Sequence, residues 1–173
     1  MKKLISLFTF LTISAISFAQ TPPTAESILT AAYKKATLEK KNVFIIFHAS
    51  WCGWCKKLDA SMNDITIKKY FDENYITVHL TVQESAKNKK LENLGADVFL
   101  EKYKGQKAGL PFFLIMNKNK KLIADSFNGN ESIGCPANEA EVKYFIEILK
   151  KSSKINDDAL KLIAIRFRQN EAH

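Results

Sequence analysis

The sequence predicts an α/β fold: a mixed central sheet flanked by helices, with an extra helix at the C-terminus. Three observations predict it. Helical and strand-like segments alternate along the chain, a continuous run of β-branched and aromatic residues separates two of the helices, and a short polar turn joins the last two strands. Helices between consecutive strands imply parallel crossovers, and the closing hairpin adds an antiparallel strand.

The elements follow in order. Thr21 to Thr24, "TPPT", reads as a linker, and Thr24 is placed to cap a helix behind two prolines. From Ala25 to Lys40, the residues Ile28, Leu29, Ala32, Tyr33, Ala36 and Leu38 recur near helical spacing. "NVFIIFHA" carries a continuous β-branched and aromatic run from Val43 to Phe47, as a strand buried on both faces would. Cys52 to Met62 reads as helical, and "DITIKKYFDENY" as a second helical piece or a continuation. Tyr75 to Val82 is a strand, and the polar stretch Gln83 to Gly109 contains one helical segment, "DVFLEKY". "LPFFLIMN" is a strand opening at a proline, "KNKK" a turn, and "LIADSF" the partner strand of a hairpin. "NGNESIGCP" is a loop, and "ANEAEVKYFIEILKK" a helix with Val142, Phe145, Ile146 and Leu149 on one face. A break at Ser152 to Asp157 precedes a last helix, Asp158 to Gln169.

The N-terminus carries Lys2 and Lys3, then a mostly apolar stretch from Leu4 to Ile16, then Ser17-Phe18-Ala19. That is the pattern of a secretory signal peptide over residues 1–19, cut near Ala19. The apolar stretch is shorter than the roughly 20 residues of a spanning helix. The mature chain is therefore expected to be periplasmic or secreted, without stable membrane insertion after cleavage. Residues 20–24 form the linker, 25–151 one domain and 152–173 a C-terminal helical extension.

The 173 residues are 46% hydrophobic, enough for a real core, and three cysteines are too few for a disulfide scaffold. The net charge of +8 comes from scattered lysine pairs, with arginine only at Arg166 and Arg168. Nucleic-acid binders gather such charge with aromatics on one surface, so this distribution reads as solvated helix and turn faces, without a nucleic-acid partner.

The chemistry concentrates in "HASWCGWCKKL", His48 to Leu58. A CxxC pair can be half of a metal site, a structural crosslink or an exchanging dithiol. Cys52 falls where a buried strand gives way to a helix. Helix N-termini carry unsatisfied N–H groups and partial positive charge, which favour a thiolate and lower a cysteine pKa below the free value of about 8.5. Lys56 and Lys57 add positive potential. Cys55, one turn on, is directed back toward Cys52. This makes Cys52 the exposed attacker and Cys55 the sheltered resolver of a mixed disulfide. No metal or organic cofactor is needed.

"FHASWCGWCKKL" after a buried strand, with the distant "GLPFFLIMN", resembles a thioredoxin-fold oxidoreductase over roughly Ala25 to Lys151. The chain is most similar to exported thioredoxin-like domains of the disulfide-interchange type, such as the periplasmic C-terminal domain of the membrane reductant transporter. The resemblance implies a thiol–disulfide oxidoreductase with catalytic Cys52 and Cys55, slightly favouring reduction or electron relay. Its partners would be exported proteins with thiols or disulfides, and a membrane electron donor. It further implies a cis-proline at Pro111, whose surroundings pair with an extended partner segment. Leu110 would touch both partner and cysteines, and Trp51 would form an apolar rim; Trp54, outside the family pattern, either packs or shapes the partner surface.

Three departures from the family pattern stand out. Ile46 occupies the strand place, six before the first cysteine, where thioredoxins carry an acid. His48, a glutamate or solvent is a candidate substitute for that proton route, and a strand histidine also reads as a packed or hydrogen-bonded residue. The dipeptide Gly53-Trp54 matches neither the usual reductase nor the usual oxidase pair, so direction is not inherited. Gln83 to Gly109 exceeds the usual link and is either a partner-specific lid or a decorated connection. Cys135 lies in a loop that in this fold family approaches the active-site end; it reads as a partly buried free thiol, with a mixed disulfide or a regulatory bridge as the alternative. Two alternatives stay open: a metal-binding or copper-delivery role for Cys52, Cys55, Cys135 and His48, and a non-catalytic binding module with a structural disulfide.

Overall fold

The structure is a computed structural model that describes residues 21–171. The expected signal peptide at 1–19, Gln20 and His173 lie outside the described residues. The order is α1 (Ala25–Glu39), β1 (Asn42–His48), α2 (Gly53–Met62), α3 (Lys68–Asn74), β2 (Tyr75–Thr81), α4 (Ala96–Lys102), β3 (Phe112–Met116), β4 (Leu122–Asp125), β5 (Phe127–Asn128), β6 (Glu131–Ser132), α5 (Glu139–Ser152) and α6 (Asp157–Arg168).

The main sheet has the order β2-β1-β3-β4. Its centre is β1, whose residues Val43 to Phe47 are fully buried, as the unbroken apolar run requires. Side chains alternate along a strand. Phe44 and Ile46 therefore enter one core with α2, α3, α5 and α6, and Val43, Ile45 and Phe47 enter another with α1 and α4. In α1, Thr24 Oγ1 accepts the Ser27 N–H at 3.1 Å, the expected cap. Ala32, Tyr33 and Ala36 face the sheet, while Leu38 falls outside that stripe and is exposed. A capping box, Asn138 with Glu141, starts α5. From α6, Leu160, Ile163 and Phe167 join the core of the first face.

The sheet corrects one expected crossover. β1 and β2 are parallel, from Asn42 opposite Tyr75 to His48 opposite Thr81. β3, however, runs antiparallel to β1, with Ile45 opposite Leu114. The seven residues of α4 advance the chain only about 10 Å, against about 23 Å for the seven-residue β2. The chain is not carried back to the start of the sheet, so β3 enters from the end at which β2 leaves. The expected strand "LIADSF" is also cut short. Ser126 leaves β4, accepts the Ile133 N–H through its carbonyl at 2.8 Å, and hands the chain to a small β5–β6 hairpin, Phe127 opposite Ser132.

Candidate active site

The end of β1 delivers His48 and Ala49 to the C-terminal edge of the sheet, and α2 begins four residues later. Cys52 is its N-cap: the Cys55 N–H donates to Cys52 Sγ at 3.0 Å, and the Cys52 N–H donates to the Ala49 carbonyl at 3.0 Å. A side-chain acceptor at this place satisfies one of the orphan donors of the first turn. Cys52 and Cys55 form a disulfide with an S–S distance of 1.99 Å.

The expectation of an exposed Cys52 is corrected. Cys52 is 3% exposed and Cys55 2%. Both pack with Ala49, and Leu110 covers them from the loop before β3. What is exposed is the tryptophan on either side, Trp51 at 58% and Trp54 at 47%. The Leu110–Pro111 peptide is cis.

Leu110 also lines a cavity of about 390 Å³ together with Trp54, Pro111, Gly134, Cys135 and Glu141. Of the residues singled out from sequence, Leu110, Pro111, Trp54 and Cys135 thus share one groove, and Leu110 links it to the disulfide. Trp51 does not line this cavity; its indole N–H donates to the Gln83 carbonyl at 2.9 Å. Lys57 lies over the Trp54 ring, 4.5 Å from its centroid, and donates to the Asn170 carbonyl at 3.4 Å.

Cys135 is buried, and burial pushes its thiol up from 9.0 to about 12; Lys57 and Arg166 oppose the rise, and Glu141 and Asp59 add to it. The cover comes from the turn just after α6. The Asn170 amide donates to Cys135 Sγ at 3.6 Å and to the Pro136 carbonyl at 3.2 Å.

Ile46 is fully buried, so the strand presents no acid under α2. The titratable groups there are others. His48 Nε2 is 3.1 Å from Thr81 Oγ1, its ring centroid is 5.1 Å from that of His79, and His79 Nε2 is 2.7 Å from Asp59 Oδ1. Burial first, then the His79 charge, holds the His48 imidazole below its ordinary range, while Asp59 and Glu84 pull the other way. Sequence reasoning missed Asp59, His79, Glu84 and Asn170 as neighbours of the site. Asp59 alone had a local signal, lying one helical turn after Cys55 on the same face. Among the described residues, no group of three or more His, Cys, Asp or Glu is gathered to hold a metal ion, and no helix is long and apolar enough to cross a membrane.

A model of the thioredoxin-like family matches residues 24–118. Among solved structures, a disulphide isomerase from Xylella fastidiosa Temecula1 superposes with a TM-score of 0.51 at 16% identity, over 90% of this chain and 98% of that one. The C-terminal domain of Neisseria meningitidis DsbD in its oxidised form gives 0.46 at 18% identity, over 76% and 98%. The DsbH oxidoreductase gives 0.47 at 16% identity, over 84% and 95%. No curated protein matches the sequence. The family match runs from the cap of α1 through β3, across more than half of the chain, and takes in both the capped disulfide and the cis peptide: the chain belongs to the thioredoxin-like family.

Proposed function

We propose that this thioredoxin-like thiol–disulfide oxidoreductase works on exported proteins, through Cys52 as attacking and Cys55 as resolving cysteine, in the direction of reduction or electron relay. The observation that carries the assignment is the capping contact, Cys55 N–H to Cys52 Sγ at 3.0 Å. A sulfur already accepting a helix N-terminal N–H is stabilised further when it becomes an anion.

In the reduced chain the Cys52 thiolate attacks one sulfur of a partner disulfide, and the partner's other sulfur leaves as a thiolate. Cys55 then loses its proton and attacks Cys52 Sγ, which expels the partner's second thiolate. Two electrons pass to the partner and the Cys52–Cys55 disulfide remains. A dithiol donor must reduce it again, and a membrane electron donor would serve. The dithiol itself is the redox group, and no other cofactor enters. Trp51, Trp54, Leu110 and Pro111 form the surface on which an extended partner segment docks. Residues 1–19 act as the signal peptide, which leaves the mature chain periplasmic or secreted.

Insulin disulfide reduction tests the assignment. Cys52→Ser is expected to abolish it, and Cys55→Ser to accumulate mixed disulfides that run as larger species on non-reducing gels. Full activity in both variants sinks the reading. Equilibration of the Cys52–Cys55 couple with glutathione gives the direction: potentials of about −270 mV mark a reductant and of about −120 mV an oxidant.

A further inference from the structure

The first residues of the long segment after β2 are built into the dithiol loop. Pairing of β1 with β2 ends at His48 opposite Thr81, and one more backbone bond follows, Val82 N–H to the His48 carbonyl at 2.9 Å. Beyond it the contacts change character. The Glu84 carboxylate grips Ser50 at both of its donors: Oε1 accepts the Ser50 N–H at 2.5 Å and Oε2 accepts the Ser50 hydroxyl at 2.7 Å. Gln83 accepts the Trp51 indole through its carbonyl. Ser50 and Trp51 are the two residues directly before Cys52.

Glu84 is itself fixed. Its residue is 8% exposed. Its backbone N–H donates to Glu92 Oε1 at 2.8 Å, and Glu92 is tied to Lys89 at 2.8 Å. Gln83 sits in the left-handed region at φ 53° and its side-chain amide donates to the Gln106 carbonyl at 3.0 Å. A carboxylate costs free energy to bury, and both oxygens here are answered by the uncharged donors of one serine. Such a group holds its partner in place while leaving its negative charge beside the start of α2.

We propose that Glu84 is a positioning residue of the dithiol, which fixes the Ser50–Trp51 loop for partner docking and biases the Cys52–Cys55 couple toward electron donation. The first effect follows from rigidity: an exposed tryptophan held in one orientation loses less freedom when a partner covers it. The second follows from charge. A negative group near Cys52 disfavours the thiolate, and a less stable reduced form makes the couple more reducing. This inference rests on Cys52 and Cys55 being the exchanging pair.

Two variants separate the effects. Glu84→Gln keeps the shape and removes the charge. Its couple is expected to be more oxidising against glutathione, and its Cys52 alkylation to reach half-maximum at lower pH. Glu84→Ala releases the loop. With a disulfide peptide as substrate it is expected to raise KM several-fold with a smaller change in kcat. In a Trp54→Phe background it should also shift Trp51 emission toward that of a solvated indole. Should Glu84→Ala fail to fold, Ser50→Ala removes one of the two bonds and carries the same KM and emission test. An unchanged potential and alkylation profile in Glu84→Gln overturns the electrostatic half, and unchanged KM and emission in the loop variants overturns the positional half. If the unmodified protein exchanges no disulfides, it is the assignment of Cys52 and Cys55 that fails instead.

Discussion

The reduced protein carries three thiols close to one groove, and a two-step exchange works cleanly only if the third stays silent. Burial raises the Cys135 thiol from 9.0 to about 12. Three pH units mean about a thousandfold fewer thiolates at neutral pH. A more basic thiolate is also more nucleophilic, with a Brønsted slope of about 0.5, which returns about half of the logarithm. The net effect of ionisation is a reaction about 30-fold slower than that of an ordinary thiol, before any obstruction by Asn170 or Pro136. Asn170→Ala removes the amide that touches Cys135 Sγ and opens the cover over it. The assay is iodoacetamide labelling of the reduced protein at neutral pH, followed by mass spectrometry of peptides carrying each cysteine. Cys52 is expected to label first. Cys135 is expected to lag an unfolded-peptide thiol by about 30-fold or more in the native protein, and to regain much of that gap in Asn170→Ala. Native Cys135 labelling as fast as the peptide thiol would refute both the burial argument and the role given to α6.

Two further outcomes follow from the same packing. Phe167, fully buried and 4.8 Å from Phe145 between ring centroids, should cost about 3–5 kcal/mol when replaced by alanine. Denaturant titration reads it, and a loss well under that range would mean that α6 is not part of the core. Alkaline stability is the second. Burial raises Tyr33 and Tyr75 from 10.0 to about 12, and Cys135 from 9.0 to about 12. The unfolded chain releases these protons first. Their contribution is therefore intact below about pH 9 and lost as pH climbs toward about 12. Melting temperature is expected to fall over that window, and Cys135→Ala to flatten its lower part; a flat profile in the native protein would contradict the burial of all three.

The sequence made legible what depends on local backbone. The run Val43–Phe47 suited a strand buried on both faces, Thr24 was placed to cap a helix, and a cysteine between that strand and the following helix fell at a helix N-terminus. The direction of β3 was not legible, because it depends on how far α4 carries the chain and not on the residues of β3. The β5–β6 hairpin was lost among turn residues, since a two-residue ladder is too short to show alternation. The exposure of Cys52 was misjudged for a related reason. Leu110 lies 58 positions from Cys52 in the chain, and nothing in the pattern around either residue says that one covers the other.

The same reasoning applies to the missing strand acid. Ile46 announces that the usual carboxylate is absent, and local reading offers His48, an unplaced glutamate or solvent instead. The fold brings charge from farther off. Asp59 arrives from the next turn of α2 and reaches the cluster through His79, and Glu84 arrives from the loop beyond β2, 34 residues after Ser50. Asp59 carries only its helical spacing from Cys55 as a signal, and Glu84 carries none, an ordinary polar residue on a solvated-looking stretch. Parallel pairing of β1 with β2 is what makes Glu84 a neighbour of the dithiol: it sets the two strand ends side by side, so that whatever follows β2 must lie against whatever follows β1. In this chain those two continuations are Gln83-Glu84 and Ser50-Trp51. The electrostatics of Cys52 is therefore partly written in a segment that, read alone, looks like a decorated connection.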